Sequence, residues 1–531
     1  MNMTLKNYVP HLLIALLVIL VYWPSLFGDF IFDDNSLVKN NPYVKSLHSL
    51  SSYLTQEDGI TDKADRLHLH TGFYRPLLNF SYFIDYKIWG MKAFGFRLTN
   101  IVLHVISCLL IFQLLLRLKV DSLAALFGTV FFAIHPTATE SVSMIICRNN
   151  LLVTIFSILS LIFYIESRRN RWLFLFISAV FFCFALLSKE VAVMMIPVFF
   201  IYNKSIGAEN RGLSKEIVGY LPFLFLAILY FILRAQVIGT FTSPFVVENF
   251  LTRLYFIPYI VAYNFLLVFF PIGLHSFYVQ YPEFYFGYNI VISYIIFLLL
   301  IMTMWNLRNN ALLIFSITAF LISMFPVLHL IPIASPSIIT MRWLYFPLAF
   351  ISIAIAYLFR TAMSLGKIRF ITLSAVSISF VYLGIYAYVL NDTLWKNQRS
   401  FLNIEVLQFK NVMFAATLAE ALHSESKYNE AENMYIVALD NFPNQAETYI
   451  NYSALLIDTG RAKDATKYLI KAKSLLMPRS KLCEWFNNMG VACHHQKQTQ
   501  CAQENLNQAV KYCPDNPVFK KNLQAVEPSY H

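Results

Sequence analysis

The sequence predicts an all-α protein in two parts: a polytopic helical membrane domain of about 11 spans, followed by a soluble α-solenoid of helical repeats. Three observations carry this reading. Of 531 residues, 58% are hydrophobic and 13% charged, with 49 Phe and 31 Tyr, whereas a soluble domain sits nearer about 45–50% apolar and about 25% charged. The charge is uneven: residues 391–531 hold 15 Lys+Arg against 14 Asp+Glu, so nearly all of the +11 net charge falls on the first 390 residues, between long uncharged runs. The tail repeats small residues at a step of 34 residues, from Ala431 to Ala465, and then of 37, to Ala502. A single soluble globule is excluded.

Crossing the hydrocarbon takes about 20 apolar residues in a helix. Candidate runs lie near 8–27, 98–117, 121–134, 150–166, 171–187, 189–203, 216–234, 252–272, 288–306, 310–330, 342–360 and 369–390. No small-residue cleavage site follows the first, so it reads as a retained span. The basic residues sit in short gaps: Arg117/Lys119, Arg168 to Arg171, Lys204 to Lys215, Arg308 and Arg360 to Arg369. The positive-inside rule makes those gaps cytoplasmic, and the absence of a basic, aromatic-interleaved soluble face argues against nucleic acid as a partner. The loop 28–97 and the whole tail then lie outside. A cytoplasmic N-terminus with an outside tail needs an odd number of crossings, so one of the twelve runs should be re-entrant or split. The expectation falls on Phe250 to Pro271, which lies between two loops without a basic signal. The expected domains are 1–390 for the membrane part, 391–411 for a linker and 412–525 for three repeats.

In the tail, Ala419, Leu422, Ala431, Tyr435, Ala438 and Pro443 follow the small, large, small, aromatic, small, Pro order of a tetratricopeptide (TPR) repeat. The order recurs at Ser453, Leu456, Ala465, Leu469, Ala472 and Pro478, then at Gly490, Cys493, Ala502, Leu506, Ala509 and Pro514. Small residues stand where paired helices must approach closely. Such arrays usually take peptide segments in their concave face, so a protein partner is expected. Cys483, Cys493, Cys501 and Cys513 crowd the last repeat beside His494 and His495. Packed thiols, one or two disulfides, and a zinc site are all open. The gaps do not match paired CxxC spacing, and Cys493 and Cys501 fall on facing helices of one hairpin. Cys108, Cys147 and Cys183, in membrane runs, read as packing residues.

Chemistry concentrates at the outer ends of the spans. The outside loop opens Gly28-Asp29-Phe30-Ile31-Phe32-Asp33-Asp34-Asn35. Acidic residues at a membrane boundary are ordinarily solvated charges. Aromatic flanking and a place at the mouth of a membrane domain single out Asp33 and Asp34, because a carboxylate in a partly apolar cleft has its pKa raised toward the range useful to a general base. Further ionisable groups lie in or beside apolar runs, where they are costly and usually functional: Arg75, Arg97, His104, His135, Glu140, Arg148, Lys189, Glu190, Arg234 and Arg342 with Tyr345. The bland alternative for each is interhelical hydrogen bonding or snorkelling. Cations and carboxylates meeting at one face suit an anionic headgroup beside an acid/base centre, such as a phosphate on a lipid.

Ordered blocks along residues 1 to 360 carry a resemblance. They are Phe30-Ile31-Phe32-Asp33-Asp34 with Asn41-Pro42-Tyr43-Val44, Tyr74-Arg75-Pro76-Leu77, and Phe96-Arg97-Leu98-Thr99-Asn100 with His104. Then come His135-Pro136 with Thr139-Glu140 and Arg148, Leu187-Ser188-Lys189-Glu190, and Arg342-Trp343-Leu344-Tyr345-Phe346-Pro347-Leu348. In this order, and with repeats following, the chain resembles the transmembrane-and-TPR O-mannosyltransferase-like (TMTC-like) family, on the C-type (GT-C) membrane glycosyltransferase fold. The resemblance implies transfer of one sugar, mannose or another hexose, from a polyprenyl- or dolichyl-phosphate carrier to a Ser/Thr hydroxyl of a protein bound by the repeats. It implies that Asp33 or Asp34 deprotonates or orients the acceptor hydroxyl, with a lean to Asp34. Glu140 and His135, with Arg75, would orient acceptor or sugar, and Lys189, Arg342, Tyr345 and Arg148 would hold the lipid phosphate. Fixed cations there lower the barrier by stabilising the anion that leaves. No obligatory cofactor or metal is expected.

Two other readings stand beside this one: the same fold glycosylating an envelope lipid or glycan, and a non-enzymatic membrane scaffold displaying the repeats. A peptide-binding solenoid has little use for a small lipid acceptor, and a scaffold does not need the outer carboxylates and cations. The short N-terminal tail, few repeats and lack of an ER-retention ending favour a bacterial inner membrane with a periplasmic tail over an ER membrane with a luminal one.

Overall fold

A computed structural model describes residues 2–45, 73–168, 172–207, 213–238, 250–278, 288–330, 337–365, 369–475, 477 and 479–526. Every regular element among them is helical. Arg169, Arg171, Arg211 and Lys367 of the basic gaps, residues 46–72 of the outer loop, and Pro478 of the second repeat lie outside the described residues. The chain forms two compact units, one running to Gln398 and the other from Arg399 onward.

In the first unit, nine helices among the described residues are long and apolar enough to cross a membrane, or ten if one bent pair counts as a span. Two of the twelve expected runs fall short. Trp172–Ser188 has 17 residues, and the run after it divides into a 3-10 turn, Glu190–Met194, and an 11-residue helix, Met195–Ser205. The divide begins at Lys189, whose backbone is extended. The charged Lys189-Glu190 pair interrupts the apolar surface that a continuous span requires.

The expected break also lies elsewhere. Phe250–Phe269 is one 20-residue helix with Pro258 inside it, because helices in a membrane re-satisfy the groups that a proline frees. Ser122–Ile134 and Pro136–Ser143 instead meet at a bend of 51°. The cause is local: Pro136 lacks an N–H and pushes the residue before it out of the α region, and His135 is extended at φ −67° and ψ 127°. The bend carries the five-residue helix Thr139–Ser143 into the protein, where all five residues are buried.

Lipid-facing surface is apolar. Leu12, Leu16, Leu20, Leu298, Met302, Ile371 and Ile378 are all exposed, as side chains in contact with hydrocarbon have no reason to be covered. Polar groups in the same spans point inward. Asn100 donates to the Val142 carbonyl at 3.1 Å, and Asn391 donates to the Val21 carbonyl at 3.0 Å.

The stretch expected as a linker is largely helical. The Arg369–Asp392 helix runs into it, Gln398–Asn403 is a further helix, and Trp395, Phe401 and Leu402 are fully buried. In the second unit, Ala415–Ser424 packs on Tyr428–Asn441, Ala446–Asp458 on Ala462–Lys473, and Arg479–His495 on Thr499–Tyr512, with Pro517–Gln524 at the end. Ala419, Ala431, Ala465, Ala472, Ala502 and Ala509 are fully buried at these seams. Gly490 shows why the seam needs small residues, since a Cβ there would stand 2.6 Å from Leu506. Disulfides join Cys483 to Cys513 and Cys493 to Cys501, which settles the four-cysteine question.

Candidate active site

The segment after the first span is fixed from behind. Arg97 is fully enclosed and donates to the Ser25 carbonyl at 3.0 Å and to the Asp29 carbonyl. The Asp29 N–H donates to the Lys396 carbonyl at 2.9 Å. Only glycine fits at residue 28, where a Cβ would lie 2.6 Å from the Arg97 guanidinium and 2.8 Å from the Lys396 oxygen. Phe32 then takes φ +48°, a conformation that a bulky residue adopts only when its surroundings impose it. Its N–H donates to Gln398 Oε1 at 2.5 Å, and its ring stands edge-on to Phe277, centroids 5.8 Å apart.

This turn separates Asp33 from Asp34. Asp34 is fully buried, and its carboxylate accepts the N–H groups of Ile31 at 3.1 Å, Ile146 at 2.7 Å and Ile145 at 3.4 Å. It stitches the segment after the first span to the 144–147 turn. Burial lifts its pKa to about 6, against the opposing pull of those N–H groups and of Arg97. Asp33 is part-exposed. Burial raises its pKa as well, and the positive charge of Arg342 pulls the other way.

Arg342 is the centre of the next group. Glu140, fully buried, accepts the Arg342 backbone N–H at 2.7 Å and pairs with its Nε at 3.1 Å. Ser276 donates to the same carboxylate at 2.6 Å. The guanidinium lies 5.3 Å from the centroid of Phe277, so one ring touches both Phe32 and Arg342. Lys189 is part-buried and donates to Asn150 Oδ1 at 2.6 Å. Arg75 and Glu190 form a two-point pair at 2.9 and 3.3 Å, and Tyr230 pins the residue before Arg75 through the Tyr74 carbonyl at 3.1 Å. Lys189 lies within electrostatic reach of Arg75, Glu190 and Arg342. The structure thus brings together Asp33, Arg342, Glu140, Lys189 and Arg75.

Three other expected residues are committed elsewhere. His135 accepts from the Thr137 N–H at 3.3 Å and donates Nε2 to the Val268 carbonyl at 2.8 Å, bracing the bend. The Tyr345 hydroxyl, fully enclosed, bonds His104 Nδ1 at 2.7 Å. Arg148, expected at the lipid phosphate, is also fully buried. It pairs with Asp85, donates to Asn100 at 2.7 Å and to the Phe96 carbonyl at 3.0 Å, and lies over the Tyr82 ring. These bonds take up a cation that a headgroup would otherwise have to neutralise.

Sequence reasoning missed Asn150, Ser141, Ser276 and Phe277. The polar triplet Arg148-Asn149-Asn150 at the head of an apolar run was a usable signal for the first. Phe277 and Ser276 lie in a segment with no motif at all. Among the described residues, no group of three or more His, Cys, Asp or Glu is arranged to hold a metal ion.

Comparison with known proteins matches residues 75–218 to the family described as Dolichyl-phosphate-mannose-protein mannosyltransferase. The matched stretch contains Arg75, Glu140, Asn150 and Lys189. The chain is 31% identical over 191 residues to the protein O-mannosyl-transferase F38B6.6 of Caenorhabditis elegans, covering 35% of this chain and 27% of that protein. It is 28% identical over 205 residues to protein O-mannosyl-transferase TMTC3 of Mus musculus, covering 37% and 22%. Against TMTC4 of the same animal it is 31% identical over 170 residues, covering 29% and 23%. The match therefore spans about a quarter of the length of these relatives. Together with the helical membrane architecture, these matches support a likeness of the chain to the TMTC protein O-mannosyl-transferases and, through them, to the C-type (GT-C) membrane glycosyltransferases.

Proposed function

We propose that this chain transfers a sugar, mannose or another hexose, from a polyprenyl- or dolichyl-phosphate carrier to Ser/Thr hydroxyls of a protein. The observation that carries the reading is the convergence of a part-exposed carboxylate, Asp33, with Arg342, Lys189 and Arg75 on the outer segments of one membrane domain. The relatives' names, protein O-mannosyl-transferases, point the same way.

In this mechanism Asp33 takes the proton of the acceptor hydroxyl while that oxygen forms a bond to the anomeric carbon. The bond from that carbon to the phosphate oxygen breaks, and the lipid phosphate leaves as an anion. Arg342 and Lys189, held in place before the reaction, stabilise the charge that develops on the leaving group. Asp33 is assigned as base over Asp34 because, among the described residues, no backbone N–H group occupies its carboxylate, while three occupy that of Asp34. Glu140 orients Arg342 rather than the acceptor, and Arg148 and Tyr345 support the scaffold. A groove of about 480 Å³ lined by Val193, Ile196, Leu224, Ile228, Phe231 and Ile232 begins a few residues from Lys189 and Arg234. Its purely apolar wall suits the carrier's hydrocarbon chain.

The helical pairs of the second unit are read as TPR repeats that bind the acceptor. The protein is placed in a bacterial inner membrane with that unit periplasmic, an oxidising space compatible with its two disulfides. The test is glycoproteomics on cells lacking the gene, complemented by wild type or by the Asp33→Ala/Asp34→Ala double variant. Hexose-modified Ser/Thr peptides should return only with wild type. An unchanged glycoproteome in all strains would discard the protein acceptor and direct the search to envelope lipids and glycans.

A further inference from the structure

The five-residue helix Thr139–Ser143 holds Arg342 from two sides. Glu140 takes its N–H at 2.7 Å and its Nε at 3.1 Å. The next residue, Ser141, donates its hydroxyl to the Arg342 carbonyl at 3.4 Å. Asn150, buried at 2% exposure, donates Nδ2 to that same Ser141 hydroxyl at 3.2 Å and accepts from Lys189 Nζ at 2.6 Å on its other side. Two cations 153 residues apart in sequence are therefore joined by one continuous chain of hydrogen bonds: Lys189 to Asn150 to Ser141 to Arg342.

A lysine ammonium has three donors on a flexible stem. Among the described residues, Asn150 Oδ1 is the one hydrogen-bond acceptor of Lys189, and the lysine is part-exposed. The ammonium lies within electrostatic reach of Arg75, Glu190 and Arg342. Left to itself, such a side chain would have to be ordered by the ligand, and that ordering opposes binding. An amide that fixes the ammonium without neutralising it removes the cost and keeps the full positive charge for an anion. A carboxylic acid would add attraction to the lysine, and an apolar residue would release it.

Resting on the carrier-phosphate reading above, we propose that Asn150 is a positioning residue. It sets the Lys189 ammonium in register with Arg342, so that both cations address one phosphate group. Ser141 is the link that transmits the register. Asn150 touches neither sugar nor acceptor, and its effect is on the phosphate end of the donor alone.

The experiment uses the purified full chain in nanodiscs, with undecaprenyl phosphate and the uncharged alcohol undecaprenol as probes. Asn150→Leu, with the same branched side chain of four heavy atoms but no polar one, should weaken phosphate binding about tenfold, the size expected when a charge-assisted bond loses its geometry, and leave undecaprenol binding within about twofold. Asn150→Asp keeps an acceptor for Lys189 but offers no donor to the Ser141 hydroxyl and sets a negative charge beside the ammonium, so it should weaken phosphate binding at least as much as Asn150→Leu. Ser141→Ala is too small a change to unfold the chain. It should cost about threefold for the phosphate probe and nothing for the alcohol, which keeps the proposal testable if the leucine variant does not fold. Lys189→Met separates the two levels of the argument. If it binds undecaprenyl phosphate like wild type, the phosphate reading of the site falls. If it binds weakly while Asn150→Leu and Ser141→Ala bind like wild type, the positioning role falls and the site stands. Equal loss for both probes in the Asn150 and Ser141 variants would mark a merely structural role and overturn the proposal.

Discussion

One carboxylate fixes both the backbone and the side chain of one arginine: Glu140 accepts the Arg342 N–H at 2.7 Å and its Nε at 3.1 Å. The two residues stand 202 positions apart, on a short buried helix and on the turn that opens the Tyr345–Met363 span. Because Glu140 is fully buried and Arg342 reaches the surface with 19% of its side chain exposed, the pair delivers a cation to an edge where a ligand can meet it. The glutamate is the fixed end and the arginine the presented end.

Removing the fixed end should therefore damage both stability and transfer. Glu140→Ala leaves a buried donor and a half-buried guanidinium without their acceptor, at a cost of about 3–5 kcal/mol, and should lower sugar transfer by about 10²-fold or more. Glu140→Gln retains an acceptor for the N–H and should lie between the two. Thermal melts with a transfer assay on both variants check the order.

Asp33→Asn should reduce transfer by about 10²–10⁴-fold, the usual worth of a positioned general base, without lowering the melting temperature, since its carboxylate carries no fold contact like those of Asp34. Burial raises the pKa of Asp33, so the acid limb of the wild-type rate profile should sit above that of an ordinary carboxylate. A profile of kcat/KM against pH in wild type and in Asp34→Asn tests this. An acid limb that moves only in the Asp34 variant would reverse the assignment of base.

Asp34 should show itself in stability. Its pKa rises from 3.8 to about 6 on folding, so the folded chain binds this proton more tightly than the unfolded one. The contribution is fully present below the unfolded value and is lost as pH rises through about 6. Melting temperatures of Asp34→Asn between pH 4 and 7 should accordingly change less than those of wild type. Parallel curves would contradict the buried setting of this carboxylate.

Arg148→Met should destabilise by about 3–5 kcal/mol, because it leaves Asp85 charged and buried without its partner. The double change Arg148→Met/Asp85→Leu should recover much of that loss. In both, the folded fraction should retain its affinity for a polyprenyl phosphate, which distinguishes a scaffold arginine from a ligand-binding one. Titration with undecaprenyl phosphate in nanodiscs supplies the measurement.

Reduction should loosen the end of the second unit. Closing loops of 30 and 8 residues restricts the unfolded chain by an amount worth about 2–4 kcal/mol each in the chain-entropy account. Cys483→Ser/Cys513→Ser should cost more than Cys493→Ser/Cys501→Ser. Hydrogen exchange on the Arg479–His495 and Thr499–Tyr512 helices reads each loss locally.

Much of this is legible in the sequence alone. Long uncharged runs marked most of the spans, since hydrocarbon selects composition directly. Periodic small residues marked the seams of the tail, because two helices close together leave no space for larger ones. Asp33, Glu140, Lys189 and Arg342 were each visible as ionisable groups beside apolar runs, where their presence needs a reason. What stayed hidden was which neighbour each one meets. Arg148 and Arg342 look alike in the sequence, yet Asp85 and Asn100 enclose the first, while Glu140 holds the second at an edge.

The sequence by itself determined the division into an apolar helical part and a repeat-bearing tail, and it determined which charges are expensive enough to matter. Those are local properties: transfer free energy along a window, and volume at a fixed period. Only the tertiary structure decided that the bend falls at His135-Pro136, that Asp34 is tied by three backbone N–H groups while Asp33 is not, and that Asn150 joins Lys189 to the loop of Arg342. The bend has its local cause in Pro136, but the other two need segments distant in the chain to meet, 111 positions apart from Asp34 to Ile145 and 201 from Ser141 to Arg342. Hydrogen-bond geometry over such separations follows from how whole helices pack rather than from the pattern along any one of them.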